Sequence, residues 1–259
     1  MYTAQKTRKE NIAEYILYLW QLEDLLRALQ FSPEAIYAKL VKPLGLPEEQ
    51  KQEVFLWYMD IVNLLREEGK EQQGHLEHTL HLIADLNNLH NQLMVLPVGA
   101  EYRRLYARVA PELPALKAKL KDPEISDVEL FFRALYSVVL LRIQEAGKHG
   151  DAGKGCGTNP QAAADKDTDV SAAPDSIADS GKSRQKYIDD VLTLISPVVA
   201  ELATVFRKVE RGEVDLFGNA EADEVDLALA GRNLGKGGVD VAVLVDVVGH
   251  EVARRVSRA

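Results

Sequence analysis

The chain has 259 residues, 46% hydrophobic and 27% charged, with a formal net charge of -9. A chain of this length buries a core without covalent staples, and its one cysteine, Cys156, excludes an internal disulfide and fits a reducing compartment. The acidic balance offers no basic footprint for nucleic acid and no apolar run approaches the roughly 20 residues of a membrane span, so a cytoplasmic protein is expected, with neither nucleic acid nor membrane as partner.

The run "NIAEYILYLWQLEDLLRALQ" at 11–30 predicts a helix. At about 100° per residue, Ile12, Tyr15, Leu19, Leu22, Leu26 and Leu29 share a broad face, widened by Ile16 and Trp20. Glu10, Glu14, Gln21 and Asp24 fall opposite, on the side expected to be wet. Glu23 lies inside the apolar arc, with Arg27 one turn further on. That order favours an i, i+4 ion pair. One reading is a semi-buried pair on a crowded core helix. The other is a polar site in a bundle interior or at a subunit interface.

Ser32-Pro33 starts a helix with proline at its first position. Pro47 repeats the role before "EEQKQEVFLWYMDIVNLLREEG", which Gly69 stops. Val54, Trp57, Tyr58, Ile61, Leu64 and Leu65 form the expected core face there. Phe55, Leu56, Met59 and Val62 carry apolar character most of the way round, so the helix is either central or shared with a partner.

"GHLEHTLHLIADLNNLHNQLM", closed by Pro97, predicts the next helix. Leu76, Leu80, Ile83, Leu86 and Leu93 mark its buried face, together with His75 and His90. His78, His81 and Asp85 lie on the wet face. They would hold a divalent ion only with a ligand from another helix, and the di-metal pattern of inward Glu-x-x-His pairs is missing. No metal and no cofactor is assigned, and His90 is expected to be a hydrogen-bonded core residue. Tyr102, Arg103, Arg104, Tyr106 and Arg108 form a basic–aromatic patch, read as an amphipathic helix with solvated arginines.

Ser126-Asp127-Val128-Glu129 is a capping box ahead of "LFFRALYSVVLLRIQEAG", which ends at Gly147. Residues 147–182 contain no leucine and no aromatic residue and read as a disordered linker. Cys156 lies there, away from any shell that would activate a thiol. "SIADSGKS" at 176–183 lacks the first glycine and the preceding strand of a phosphate loop. From 183 to 212 an amphipathic helix is expected to pack back on the bundle along Tyr187, Val191, Ile195, Val198, Leu202 and Val205, with Pro197 on its solvent side. Residues 213–259 form a poorly patterned tail. Its last stretch, "VDVAVLVDVVGHEVARRVSRA", places Asp240 early and Arg254, Arg255 and Arg258 late, as a helix dipole favours, although its valines suit a strand as well.

The fold class is therefore all-α, a bundle of about five to seven helices whose main domain spans 1–146. Within it, "AQKTRKENIAEYILYLWQLEDLLRAL" at 4–29 resembles the start of a bacterial family, mostly from Bacteroidetes, known only as a domain of unknown function. The matching residues include Asn11, Ile12, Glu14, Tyr15, Trp20, Gln21, Glu23, Asp24 and Arg27, and "LHNQL" at 89–93 is similar too. The resemblance runs to about residue 146. It implies a cytoplasmic helical protein with no assigned activity and supplies no catalytic residue.

The leading expectation is a non-enzymatic protein acting by association, with a homodimer and an unidentified protein as its candidate partners. The competing one is a small-molecule or metal-binding bundle that uses Trp20, Glu23 and Arg27, or His78, His81 and Asp85.

Overall fold

Asn11 stands extended between two helices in the computed structural model, which describes residues 1–120, 122–150, 181–214 and 216. Helix α1 runs over Tyr2–Glu10 and α2 over Ile12–Ala28. The Asn11 side-chain oxygen accepts from the N–H groups of Ala13 and Glu14 at 3.0 and 3.4 Å. Its own N–H donates to the Thr7 carbonyl. One residue thus closes α1 and caps α2, serving the orphan groups of both ends. At its far end α2 stops through two left-handed residues, Gln30 and Phe31, at φ 52 and 54°. The N–H of Gln30 donates to Arg27 and that of Phe31 to Leu26, which closes the last turn.

Helix α3, Pro33–Ile36, begins as its sequence suggests, with Ser32 Oγ accepting from the Ala35 N–H. A widened turn over Tyr37–Val41 follows. Helix α4, Glu48–Glu67, has Pro47 just outside its first turn, one position earlier than expected. Gly69 at φ 66° ends it, and any side chain there would meet left-handed strain. Then come α5 (Glu77–Val95), α6 (Ala100–Val109), α7 (Leu113–Leu120), α8 (Asp127–Gly150) and α9 (Gly181–Glu210). Ser126 Oγ accepts from the Glu129 N–H at 3.2 Å, one half of the expected capping box.

The described residues contain helices and no strand, and the helices of ten or more residues are α2, α4, α5, α6, α8 and α9. The all-α class therefore holds. Helix α8 continues past Gly147 and α9 begins at Gly181, so both edges of the expected linker are helical. The rest of it, 151–180 with Cys156 and most of the phosphate-loop-like run, lies outside the described residues, as does the tail from 217 onward. Pro197 is half-buried inside α9 rather than on its solvent side. The carbonyl that it frees belongs to Thr193, an exposed residue that water can serve.

Helix α2 is buried on nearly every side because it separates two cores. Ile16, Leu17 and Trp20 face the larger one, with Leu86 and Leu93 of α5, Phe131 and Leu135 of α8, and Val198 and Leu202 of α9. Leu19, Leu22 and Leu26 face the smaller one, with Ile36, Val41, Val62 and Leu65. Helix α9 packs against α2, α5, α6 and α8 and completes the larger core. Glu14 and Gln21, expected to be wet, are buried at 6% and 5% exposure. A single wheel could not show this, since it allows α2 only one dry face. Glu14 survives by accepting from the Asn11 amide at 3.1 Å, and burial pushes its carboxyl above the usual range.

After α5 the chain turns through Pro97–Gly99, where Gly99 lies directly on the end of α5. A Cβ added at Gly99 would stand 1.9 Å from the Leu93 carbonyl oxygen. Gly99→Ala is expected to lower unfolding stability by about 2 kcal/mol in urea titration, as forced overpacking does. A change within about 0.5 kcal/mol would show that the turn has room.

Candidate functional site

Trp20, Glu23 and Arg27, singled out from the sequence, meet in one polar cluster. Helix α2 supplies all three, together with Asp24. The connection from α4 to α5 brings His75, which precedes α5 rather than lying within it. Glu23 is fully buried. Its carboxylate accepts from His75 Nδ1 at 2.8 Å and from the Leu76 N–H at 3.3 Å. The His75 ring lies flat on the Trp20 indole, with centroids 3.8 Å apart and planes 9° apart. Trp20 Nε1 donates to Thr79 Oγ1 at 3.1 Å, and Thr79 donates in turn to the Leu76 carbonyl. Tyr136 of α8 closes the cluster by donating to Asp24 and to the Trp20 carbonyl. Burial and the neighbouring Asp24 carboxylate push the Tyr136 hydroxyl well above its ordinary range.

The expected ion pair between Glu23 and Arg27 is replaced by two others. Arg27 donates to Asp24 at 2.7 Å. Its other N–H groups donate to the carbonyls of Lys70 and Gly74. Glu23 turns to His75 because the connecting segment delivers an imidazole and an N–H to a carboxylate that water cannot reach. The cluster therefore pins residues 70–76 onto α2. Sequence reasoning missed His75, Tyr136 and Thr79. Their partners lie 52, 112 and 59 residues away, a separation that helical periodicity does not register. The available signal was chemical: a Glu in an apolar arc and a buried indole N–H each require a partner.

His78, His81 and Asp85 all lie on the exposed face of α5. His78 Nε2 already meets the Tyr15 hydroxyl at 3.1 Å. Among the described residues no group of three or more His, Cys, Asp or Glu is placed to hold a metal ion.

His90 is buried, with Nδ1 2.7 Å from the Tyr102 hydroxyl. Burial lowers the His90 pKa and raises that of Tyr102, so the hydroxyl donates and the neutral imidazole accepts. The basic–aromatic patch does not form one surface. Tyr102 is core, Arg103 donates to the carbonyls of Leu93 and Leu96, Arg104 pairs with Glu101, and Tyr106 donates to Asp127.

A different surface emerges on α4. Its buried residues are Val54, Tyr58, Ile61, Val62 and Leu65. This face is rotated from the expected one: Val62 goes in, Trp57 is half-buried and Leu64 comes out. The helix packs on α2, on the short α3 and on the widened turn after it, and Tyr2 of α1 donates to its Glu53, while Leu56 and Leu64 stay uncovered. Leu56 and Leu64 are 52% and 44% exposed, with Trp57 and Met59 half-buried beside them. Glu49, Glu53, Asp60 and Glu67 stand exposed around these residues. The outer side of α4 thus interleaves exposed leucines with carboxylates, Asp60 lying between Leu56 and Leu64.

Fold and sites define an all-α bundle with a polar clasp inside and one apolar, acidic-edged helix outside. The chain belongs to the family described as a domain of unknown function, DUF4924, whose model matches residues 1–155. Neither the curated proteins nor the solved structures include a match to it. Among the described residues no helix is long and apolar enough to cross a membrane.

Two expectations follow from these centres. Glu23→Ala should lower stability by about 3 kcal/mol and erase the near-ultraviolet circular dichroism of Trp20, because it strands His75 and the Leu76 N–H. Glu23→Gln, which keeps an acceptor, should cost clearly less; equal and small losses would show that the clasp carries no stability. For His90 the folded pKa lies below that of the unfolded chain. As pH falls below about 6.5, the unfolded chain takes up a proton that the folded chain refuses, so stability drops. Glu14 and Glu201, whose carboxyls are raised by burial, act in the opposite sense. Comparison with His90→Gln isolates the histidine: the variant should lose up to about 1.4 kcal/mol per pH unit of slope between pH 5 and 6.5. An unchanged slope would place the proton elsewhere.

Proposed function

We propose that this protein works by association, and that the outer side of α4 is the surface it uses. The carrying observation is the pair of exposed leucines, Leu56 and Leu64, set among half-buried Trp57 and Met59. Leu56, Asp60 and Leu64 follow one another at i, i+4 and i+8, so two exposed leucines flank a carboxylate on one face, with Trp57 and Met59 half-buried to either side, and that mixture of apolar and charged area is the make-up of a contact rim. Glu49, Asp60 and Glu67 form no ion pair among the described residues, so their charge is available to a partner.

The charges also select the partner. Two α4 helices packed about a twofold axis would set Asp60 near Asp60 and bring the other acidic residues together. An apolar segment with Lys or Arg at its edges meets the same patch without that repulsion. The ligand-site reading at Trp20, Glu23 and Arg27 is less favoured, because the Glu23 carboxylate and the Arg27 guanidinium are engaged by His75, Asp24 and backbone groups of the chain itself.

A designed amphipathic peptide tests the surface: leucines along one helical face, lysines and arginines beside them. It should bind, with affinity falling as salt is added. Its counterpart with glutamates in place of the basic residues should not. Leu56→Glu combined with Leu64→Glu should weaken binding by roughly tenfold or more. Equal binding of both peptides, or full binding by the double variant, would overturn the assignment.

A further inference from the structure

The clasp leaves one of its own atoms unused. Glu23, Trp20 and Thr79 are satisfied within the cluster, yet His75 enters it through Nδ1 only. We propose that His75 is a modification site, whose Nε2 takes a phosphoryl group from a donor of the phosphoramidate class, with Glu23 and Lys70 as positioning residues. It stands apart from the reading of α4 and does not depend on it.

The first support is the tautomer. A neutral imidazole has one nitrogen that donates and one that keeps a free lone pair. The buried Glu23 carboxylate accepts from Nδ1 at 2.8 Å, so the proton sits there and the lone pair sits on Nε2. Nε2 makes no hydrogen bond among the described residues. The His75 side chain is 18% exposed and that of Glu23 1%, so the ring edge that reaches water is the one away from Glu23, which carries Nε2. The stack on Trp20 and the edge of Tyr136 fix the ring plane, so little orientation is left to lose on reaction. The other described histidines are held differently. His90 is buried and its Nδ1 accepts from Tyr102, which puts the proton on Nε2. His78 Nε2 already meets the Tyr15 hydroxyl. His81 is exposed, and no hydrogen bond among the described residues selects its tautomer.

The second support is charge. In the transfer, the Nε2 lone pair forms the new N–P bond while the P–N bond of the donor breaks. The electron pair of that bond leaves with ammonia, which carries away its own three protons. The Nδ1 proton stays in its hydrogen bond to Glu23. The ring thereby gains a positive charge, and the buried carboxylate behind it stabilises that imidazolium, as the aspartate of a catalytic triad does for its histidine. Lys70 supplies the charge for the phosphoryl oxygens. Its Nζ lies 3.9 Å from where a Cβ would stand on Gly74, the residue before His75, and it forms no ion pair among the described residues. Arg27 holds the carbonyls of both Lys70 and Gly74, which fixes the backbone beneath that ammonium. Two carboxylates of the same segment are engaged elsewhere: Glu68 accepts from the Glu77 N–H and Glu71 pairs with Arg66.

Incubation of the full chain with potassium phosphoramidate provides the test, with peptide mapping by mass spectrometry to read the site and phosphorus NMR to read the isomer. The expected product is acid-labile phosphohistidine at His75 Nε2, formed roughly tenfold or more faster than at His81, the exposed comparator in the same molecule. Glu23→Gln presents an amide N–H to Nδ1 and moves the ring proton to Nε2. It should slow labelling of His75 by roughly tenfold or more and leave His81 unchanged. Lys70→Gln should raise the donor concentration for half-maximal rate severalfold, and Lys70→Arg should restore it. Labelling of His75 no faster than His81, or on Nδ1, would overturn the proposal. So would an unchanged rate in Glu23→Gln with the near-ultraviolet signal of Trp20 retained. Should that variant lose the Trp20 signal, the ratio of His75 to His81 and the two Lys70 variants decide.

Discussion

Everything in this bundle depends on α2 having no outside. A helix usually hides one stripe and leaves the rest to water. Here Ile16, Leu17 and Trp20 serve one core while Leu19, Leu22 and Leu26 serve another, and α1, α4, α5, α8 and α9 all come to rest on the same segment. The arrangement has a chemical cost. With water kept from most of the helix, its polar side chains turn to partners in the protein itself, save Gln21, whose buried Oε1 accepts no hydrogen bond among the described residues. Glu14 finds Asn11, Glu23 finds His75, Trp20 finds Thr79, and Asp24 finds both Arg27 and Tyr136. The polar clasp is thus a consequence of placing a polar-bearing helix at the centre.

That centrality separates the two apolar-rich helices. Seen as sequences, 12–29 and 47–68 look alike in excess grease, and both invite a partner. In the fold the first hides its surplus within the chain, because a second core exists to receive it. The second packs one side on α2 and α3 and leaves Leu56 and Leu64 in the open. The proposed association therefore rests on α4 alone.

How much of this was legible in the sequence follows from the range of each signal. Local signals survive well. Ser32 and Ser126 cap the helices that they announce, Gly69 and Gly212 end theirs, and the stripe from Tyr187 to Val205 is the side of α9 that packs on the larger core. Signals that depend on a distant neighbour do not survive. The 100° wheel placed Glu14 and Gln21 in water because it has no term for a second wall. It placed Leu64 inside because it weights every apolar residue alike, whereas only those facing α2 and α3 are covered. Trp20, Glu23 and Arg27 stand close together on α2, yet the groups that engage the cluster, His75 and Tyr136, come from the α4–α5 connection and from α8.

The position of α9 bears on where this fold can be divided. The family match closes at residue 155, yet Val191, Ile195, Val198, Val199 and Leu202 fill the larger core from the other side of that boundary. Ser137 and Tyr187 even share a hydrogen bond across it, at 2.8 Å. A fragment cut at the edge of the match would lay bare the groove that α9 fills, along α2, α5, α6 and α8. The family match and the larger core therefore have different boundaries, since α9 and Leu216, beyond the match, both pack on that core.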